Sequence, residues 1–318
     1  MAKPVALYYT MMRYQPQNRA LLDRLFTVIE RATPADATAE DLARTQVLSA
    51  PLGYKVDASR MAACPNLRAI LSNTTGVPHI DMKEAARRGV AVCALHDEQQ
   101  FLESITPTAE HTIGLMLAAL RRLPAAHAAA SAGRWDRRPC GAPAMCSRLS
   151  LGLVGYGRLG RKVADVARAM GMSVAWFDPY VPGGMAKIEE LARRSHVLSI
   201  HAVANAETAK LVSRRVLETL PKGAVVVNTA RGEILDTEAL VDLLESGHLW
   251  AAALDVVDGE YEPDFAARFA DSRVARYARS HDNLILTPHI GGSTVDAWSE
   301  TERRVIEKAA AAVGLVAA

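Results

Sequence analysis

The segment LGLVGYGRLG, residues 151–160, decides the fold of this 318-residue chain. Its apolar first half predicts a β-strand, and the residues after it follow the pattern of a helix from about 158 to 170. A strand that turns into a helix through the spacing Gly-x-Gly-x-x-Gly is typical of a dinucleotide site. The first glycine allows the tight turn, the second lets the backbone approach a pyrophosphate, and the third lets the helix pack closely. The predicted phosphate-binding residues are Gly155, Tyr156, Gly157, Arg158, Leu159 and Gly160.

Asp178 ends the next predicted strand, 173–177, and lies 18 residues beyond Gly160. A carboxylate at this place can accept hydrogen bonds from the ribose hydroxyls of NAD, and it would repel the additional phosphate of NADP. Asp178-Pro179 is also good turn chemistry, so an ordinary strand-end turn is the alternative. No arginine directly follows Asp178. The sequence therefore favours NAD as the cofactor.

Three further polar residues follow predicted strands: Arg231 after 224–228, Glu260 after 250–254 and His289 after 284–287. In open α/β sheets, ligands bind at the carboxyl ends of the strands. A guanidinium can hold a carboxylate in a fork geometry. An imidazole can give a proton to a carbonyl oxygen, and a neighbouring carboxylate can orient that imidazole and stabilise its charged form. Together with a dinucleotide site, these residues predict hydride transfer at C2 of a 2-keto or 2-hydroxy acid.

The composition narrows the class of protein. Half of the residues are hydrophobic, which is enough for two domains with large cores. The 37 basic and 35 acidic residues nearly balance, so charge gives no case for binding nucleic acid or an anionic membrane. The four cysteines show no Cys-x-x-Cys spacing, and nothing nearby completes a metal set. We therefore expect reduced thiols, no metal, no signal peptide and a cytoplasmic location.

Strands and helices alternate along the chain, which predicts parallel α/β sheets. In the first third, strands are predicted at 5–9, 67–71 and 90–93, and helices at 18–30 and 81–88. A long helical pattern covers 107–132, and Pro124 inside it should kink or split the helix. The polar stretch 259–283 is predicted to be irregular, and the last helix covers about 294–313.

Several motifs carry a family resemblance nearly from end to end. They are TGVPHID (75–81), TAEHT (108–112), the glycine fingerprint, NTARG (228–232), ALDV (253–256) and TPHIGG (287–292). With these motifs the chain resembles the NAD-dependent D-isomer-specific 2-hydroxyacid dehydrogenases, which include phosphoglycerate, hydroxypyruvate and D-lactate dehydrogenases. The resemblance implies an α/β fold with two Rossmann-like domains. The NAD-binding domain, residues 105–292, would be inserted into a split flavodoxin-like substrate domain, residues 1–104 plus 293–318, with the active site in the cleft.

The resemblance also implies roles for individual residues. Backbone amides around Thr75, Gly76 and Val77 would hold the substrate carboxylate. Asp255 and the segment at Thr229 would contact the nicotinamide. The remaining cofactor-binding positions would be His201, Thr208, Ala230, Gly291 and Gly292. Family members are usually homodimers, formed through the NAD-binding domain and the helix near 107–132.

Two questions stay open in the sequence. Relatives often have Glu-Pro where this chain has Glu260-Tyr261-Glu262-Pro263. The spacing from Asp255 favours Glu260 as the partner of His289, whereas the Glu-Pro pair favours Glu262.

The second question is the substrate. A catalytic glutamate argues against formate, Thr75 argues against phosphite, and the absence of an Arg-Ser pair in 48–55 argues against 3-phosphoglycerate, which nevertheless remains an alternative. A non-catalytic NAD-binding regulatory protein of the same fold is the other alternative.

Overall fold

The short apolar runs of the sequence form two parallel β-sheets in the computed structural model, which describes residues 2–262 and 264–315. Strands of a parallel sheet are covered on both faces, so they consist of nearly continuous apolar residues. The chain divides into two units, one formed by Met1–Ile105 with Ser293–Ala318 and the other by Thr106–Gly292. These bounds lie within one residue of the predicted domain boundaries.

The first unit begins with five strands and their connecting helices. Its elements are β1 (Val5–Tyr9), α1 (Pro16–Leu25), β2 (Thr27–Arg31), α2 (Ala39–Arg44), β3 (Val47–Ser49), α3 (Ala58–Ala62), β4 (Ala69–Leu71), α4 (Met82–Arg87), β5 (Ala91–Cys93) and α5 (Gln99–Leu102). The strands are all parallel, in the order β2-β1-β3-β4-β5. This is the flavodoxin-like order, as predicted for the substrate domain.

The helix predicted over 18–30 is wrong at its C-terminal end. Helix α1 ends at Leu25, and Thr27–Arg31 forms strand β2 instead, which pairs with β1 along its whole length. The run Thr27-Val28-Ile29 is β-branched, and such side chains fit an extended backbone better than a helix.

The second unit contains the glycine fingerprint. Its elements are α6 (Pro107–Arg121), α7 (Leu123–Ser131), β6 (Ser150–Val154), α8 (Arg158–Ala169), β7 (Ser173–Phe177), α9 (Ile188–Arg193), β8 (Val197–Ile200), α10 (Arg214–Glu218), β9 (Ala224–Asn228), α11 (Thr237–Glu245), β10 (Leu249–Leu254), α12 (Phe265–Asp271), α13 (Arg273–Ser280) and β11 (Leu284–Leu286). Its parallel strands have the order β11-β10-β9-β8-β6-β7. The order reverses at β6, so a ligand is expected where β6 and β8 end.

Helix α6 ends where Pro124 predicts a break. Arg122 adopts a left-handed conformation with φ 48°, and α7 begins at the next residue, with Pro124 in its first turn. Proline suits a first turn because its missing N–H needs no partner there. The predicted split of the long helix is therefore confirmed.

The prediction of an irregular segment over 259–283 is wrong, because α12 and α13 form there. In α13, the hydroxyl of Ser272 accepts a hydrogen bond from the amide of Ala275 and caps the helix. Val274 and Tyr277, spaced by three residues, are buried. Arg276 and Arg279 of the same helix are exposed, so α13 is amphipathic, and the sequence prediction missed this spacing.

Helix α14 (Val295–Ala312) completes the first unit after the chain has formed the second. Its fully buried face consists of Val305, Ile306, Ala309 and Ala310. These side chains share one core with Leu71 of β4 and Cys93 of β5. The core of the first unit is thus built from both ends of the chain.

Glu302 of α14 is expected to make the stability of the first unit depend on pH. Its side chain is buried, and its Oε2 accepts hydrogen bonds from the Gln15 amide at 2.8 Å and the Asn18 amide group at 2.9 Å. Burial raises the pKa of Glu302. The folded state therefore holds this proton more tightly than the unfolded state, and stability falls as pH rises through the folded pKa. Glu302→Gln should raise Tm by a few degrees at pH 7.5 and by less at pH 4.

Thermal unfolding at the two pH values measures this effect. Glu300→Gln, at an exposed position of the same helix, is the matched control and should change Tm at neither pH. An equal change of Tm at both pH values for Glu302→Gln would contradict the expected linkage.

Candidate active site

The carboxyl ends of three neighbouring strands bring the predicted catalytic residues together. Strand β10 pairs with β9 on one side and β11 on the other, with Leu254 in register with Asn228 and Leu286. The residues that follow these strands therefore emerge at one edge of the sheet. They are the segment with Arg231, the segment with Asp255 and Glu260, and the segment with His289.

His289 is held by Glu260. The imidazole Nδ1 lies 2.8 Å from Glu260 Oε1, and the glutamate side chain is 11% exposed while that of the histidine is 30% exposed. Within residues 2–262 and 264–315, the opposite ring nitrogen, Nε2, forms no hydrogen bond. A carboxylate only accepts hydrogen bonds, so it fixes the hydrogen on Nδ1 and leaves Nε2 to exchange a proton with a ligand.

Glu262 points to a different partner. Its exposed carboxylate pairs with the guanidinium of Arg268, and Pro263 lies outside the described residues. Of the two glutamates left open by the sequence, the geometry brings Glu260 to the imidazole. Spacing from Asp255 is therefore the better guide to the pair than the Glu-Pro dipeptide.

Arg231 presents an open guanidinium. Its Nη1 donates to the Ala230 carbonyl at 2.6 Å, and its other N–H groups have no partner in the described part of the chain. The backbone around it is fixed by Asn228, whose amide group accepts from the Ala230 N–H at 3.0 Å and donates to the Arg231 carbonyl at 2.9 Å. A partly buried arginine without a carboxylate partner is suited to bind an anion.

Asp255 anchors the loop that carries His289. Its buried carboxylate accepts hydrogen bonds from the Ile290 amide at 2.9 Å, the Gly291 amide at 2.8 Å and the Thr287 hydroxyl at 2.6 Å. The His289 amide donates to the Asp255 carbonyl at 2.8 Å. These bonds hold His289 at φ 52°, a left-handed conformation that costs a non-glycine residue roughly 1–2 kcal/mol. Asp255 thus positions the histidine, and its contact with a nicotinamide stays a prediction.

Two residues near this site were not among the predicted ones. His111 of α6 places Nε2 3.1 Å from the Thr287 hydroxyl and 3.3 Å from Asp255 Oδ1. The phenol of Tyr261 lies 3.1 Å from His289 Nδ1, and burial, followed by the charge of Glu260, raises the pKa of Tyr261. The TAEHT motif offered a signal for His111. The sequence shows Tyr261 between two glutamates, but it does not show that the Tyr261 side chain points toward His289.

The fingerprint glycines fit a bound dinucleotide. A Cβ at Gly155, where φ is 94°, would lie 2.6 Å from the Ala202 amide nitrogen, and one at Gly160 would lie 2.5 Å from the Gly155 carbonyl oxygen. A Cβ at Gly157 would meet nothing within 4 Å. Gly157 is also the N-cap of α8 and provides no side-chain cap. The open space lies at the helix N-terminus, where the pyrophosphate of a dinucleotide is expected.

Asp178 follows β7 and faces the same loop. Its Oδ2 accepts from the Tyr156 amide at 2.8 Å, and its Oδ1 accepts from the Tyr180 amide at 2.9 Å. Each carboxylate oxygen can accept a second hydrogen bond. The position therefore suits ribose hydroxyls and does not suit a phosphate.

The other predicted cofactor residues lie at neighbouring strand ends. His201 follows β8, its Nε2 is 2.8 Å from the Ser199 hydroxyl, and burial lowers the pKa of His201 to about 4. The ring is therefore neutral at physiological pH. The Thr208 hydroxyl donates to the Val203 carbonyl at 2.7 Å, and the Thr229 hydroxyl is 2.7 Å from that of Thr112. Leu159 packs against the core, and Gly292 is exposed. Their cofactor contacts stay predictions.

The predicted carboxylate-binding residues Thr75, Gly76 and Val77 belong to the first unit, after β4. The Thr74 hydroxyl donates to the Gly76 carbonyl at 2.7 Å, and the Ile80 amide donates to the Val77 carbonyl at 3.1 Å. Within the described ranges, no hydrogen bond is donated by the amides of residues 75–77. Such free amides can bind an anion, and this role remains a prediction.

No group of three or more His, Cys, Asp or Glu side chains in residues 2–262 and 264–315 could hold a metal ion. No helix in those ranges combines the length and apolar character that a membrane span requires.

Comparisons with known proteins identify the family of the chain. Residues 113–291 match the family described as "D-isomer specific 2-hydroxyacid dehydrogenase, NAD binding domain". D-3-phosphoglycerate dehydrogenase of Methanocaldococcus jannaschii is 33% identical over 278 residues, which are 85% of this chain and 50% of that protein. Hydroxypyruvate reductase of Thermotoga maritima is 31% identical over 259 residues, 80% of each chain.

Among solved structures, the NADPH-dependent glyoxylate/hydroxypyruvate reductase of Sinorhizobium meliloti has a TM-score of 0.77 and 26% identity, over 96% of this chain and 92% of that one. The chain spans about half the length of the matched phosphoglycerate dehydrogenase. The second unit is an NAD-binding domain. The chain belongs to the D-isomer-specific 2-hydroxyacid dehydrogenase family.

Proposed function

We propose that this chain catalyses the NAD-dependent interconversion of a 2-keto acid and a D-2-hydroxy acid. One observation carries the proposal: His289, held by Glu260 through Nδ1 with Nε2 free, emerges at the same sheet edge as the open guanidinium of Arg231. Together, these side chains can protonate a carbonyl oxygen that lies next to a bound carboxylate.

Arg231, His289 and Glu260 have separate roles in the proposed reaction. Arg231 holds the substrate carboxylate and polarises the adjacent carbonyl. His289 Nε2 donates a proton to the carbonyl oxygen and recovers it from the hydroxyl in the reverse direction. Glu260 keeps the imidazole oriented and stabilises its charged form. Bound NADH would supply the hydride for C2.

We propose a non-phosphorylated or modestly polar 2-keto acid as the substrate. The lack of an Arg-Ser pair in 48–55 supports this class, and the hydroxypyruvate reductase similarity agrees with it. In this proposal, the free amides of Thr75, Gly76 and Val77 help to hold the substrate carboxylate. The second candidate substrate is 3-phosphoglycerate, because the chain is similar to relatives named D-3-phosphoglycerate dehydrogenase.

A substrate panel tests the proposal. NADH oxidation at 340 nm should be followed with glyoxylate, hydroxypyruvate, pyruvate, branched and aromatic 2-keto acids and 3-phosphohydroxypyruvate, each repeated with NADPH. We expect turnover of at least one non-phosphorylated acid, with NADH preferred. The fastest turnover with 3-phosphohydroxypyruvate would support the second candidate. NADH binding without any turnover would support a regulatory protein, and a preference for NADPH would contradict the role of Asp178.

We also propose a cytoplasmic homodimer. Helix α7 has no buried residue, and three large apolar side chains, one in α7 and two in the segment that follows it, are exposed: Leu123 at 51%, Trp135 at 93% and Met145 at 66%. Large apolar side chains exposed to this extent on a helix without a buried residue support an interaction surface. Light scattering should give twice the mass of the 34.3 kDa chain, and a monomeric mass would contradict the dimer.

A further inference from the structure

Tyr261 directly follows Glu260 in the sequence and reaches the same imidazole. Its phenolic oxygen is 3.1 Å from Nδ1 of His289, and the two rings lie 5.9 Å apart at an angle of 48°. Nδ1 thus has two side-chain neighbours, Tyr261 and Glu260.

The chemistry of the three groups settles which of them donates. Glu260 Oε1 is the nearer neighbour of Nδ1, at 2.8 Å, and a carboxylate offers no hydrogen. The hydrogen therefore lies on Nδ1, and the phenolic oxygen of Tyr261 receives the second branch of the same N–H. Burial and the charge of Glu260 raise the pKa of Tyr261, so the phenol remains neutral beside the carboxylate.

Apart from Glu260 and Tyr261, little in the surroundings of His289 restricts rotation of its imidazole ring. Its side chain is 30% exposed, and within the described residues Nδ1 is its only hydrogen-bonded atom. One hydrogen bond to Glu260 defines the position of Nδ1 but leaves the ring free to turn about that bond. A second acceptor on the same atom, with the phenol ring beside the imidazole, restricts this rotation.

We propose that Tyr261 is a positioning residue: with Glu260 it shares the Nδ1–H of His289 and so holds Nε2 toward the carbonyl oxygen of the substrate. The inference rests on the proposed function, because it assigns the acid–base step to Nε2. It assigns no proton transfer to the phenol. Its consequence is that the hydroxyl should affect turnover rather than the binding of either substrate.

Tyr261→Phe removes the hydroxyl and keeps the ring. We expect kcat to fall about tenfold, the effect of a hydrogen bond of typical strength, with KM for the keto acid and Kd for NADH unchanged. Tyr277→Phe is the matched control, because it removes a tyrosine hydroxyl that donates to Asn283 at 2.9 Å in the same unit. This control should leave kcat unchanged. An unchanged kcat in Tyr261→Phe would overturn the proposal.

A second readout does not depend on turnover. In ¹⁵N spectra of the histidine rings, the neutral imidazole of His289 should carry its hydrogen mainly on Nδ1 in the wild type. Tyr261→Phe should move the tautomer population toward Nε2–H, because one acceptor of the Nδ1 hydrogen is lost. Identical His289 ring shifts in both proteins would overturn the proposal. A wild type that reduces no 2-keto acid would instead refute the proposed function, and the ring shifts would still decide the role of Tyr261.

Discussion

Replacing His289 by asparagine is expected to lower kcat for keto-acid reduction by about 10²- to 10⁴-fold, the usual contribution of a positioned general acid. The substitution removes Nε2, the ring nitrogen that Glu260 leaves free. NADH binding should persist, because the predicted phosphate and ribose contacts, the glycine fingerprint and Asp178, follow β6 and β7. Steady-state kinetics and NADH fluorescence titration measure the two effects separately.

Asparagine suits the backbone conformation at residue 289. His289 has φ 52°, and asparagine tolerates the left-handed region better than most residues. The backbone should therefore tolerate His289→Asn, and a Tm close to that of the wild type would show that a loss of kcat reports chemistry rather than unfolding. His281→Asn, at an exposed histidine of the same unit, is the control and should retain full kcat. Turnover by His289→Asn within threefold of the wild type would exclude the histidine as the acid.

Gly157→Ala is expected to weaken NADH binding by about 10- to 100-fold while leaving Tm in the absence of NADH unchanged. The protein itself has room for the methyl group, since the added Cβ would meet nothing within 4 Å, and φ at −73° suits alanine. The same space is where the pyrophosphate is expected, so the methyl group would clash with the ligand. A steric conflict of about 1–3 kcal/mol corresponds to this loss of affinity.

Isothermal titration with NADH measures the effect. Gly114→Ala is the matched control, because its Cβ also meets nothing within 4 Å and its position on α6 is outside the fingerprint. Gly155→Ala and Gly160→Ala should behave differently and lower Tm, since their Cβ atoms would approach backbone atoms within 2.6 Å. A Kd of Gly157→Ala within threefold of the wild type would refute the proposed phosphate site.

The sequence predicts this site well where the fold itself brings residues together. Arg231, Glu260 and His289 follow predicted strands of one parallel sheet, and parallel strands present their carboxyl ends at one edge. The strand-to-helix turn at Gly155 likewise needed only local pattern and glycine chemistry. These inferences depend on backbone geometry, which short stretches of sequence largely determine.

The features that escaped prediction depend on side-chain direction or on tertiary packing. Tyr261 reaches the imidazole from a turn in which Gly259 has φ 74°, and the pattern of the sequence does not show the direction of its side chain. Strand β2 replaces the end of a predicted helix because β1 offers a partner for it. Helix α13 spans only eight residues, three of them arginines, so an interpretation based on polarity missed its amphipathic pattern. The contacts of Tyr261 and β2 are made with other parts of the sequence, whereas α13 carries a local signal in the spacing of Val274 and Tyr277.

The return of α14 to the first unit has a consequence for synthesis of the protein. The second unit is continuous in sequence and can fold as soon as it is made, whereas the first lacks Val305, Ile306, Ala309 and Ala310 until residues 106–292 have been translated. At ribosomal rates of about 5–20 residues per second, this delay is roughly 10–40 s. During this delay, the apolar side chains of β4 and β5 are not yet covered by α14. The first unit is therefore the first to be translated and the last to complete its folding. Nascent chains need protection from aggregation during that interval.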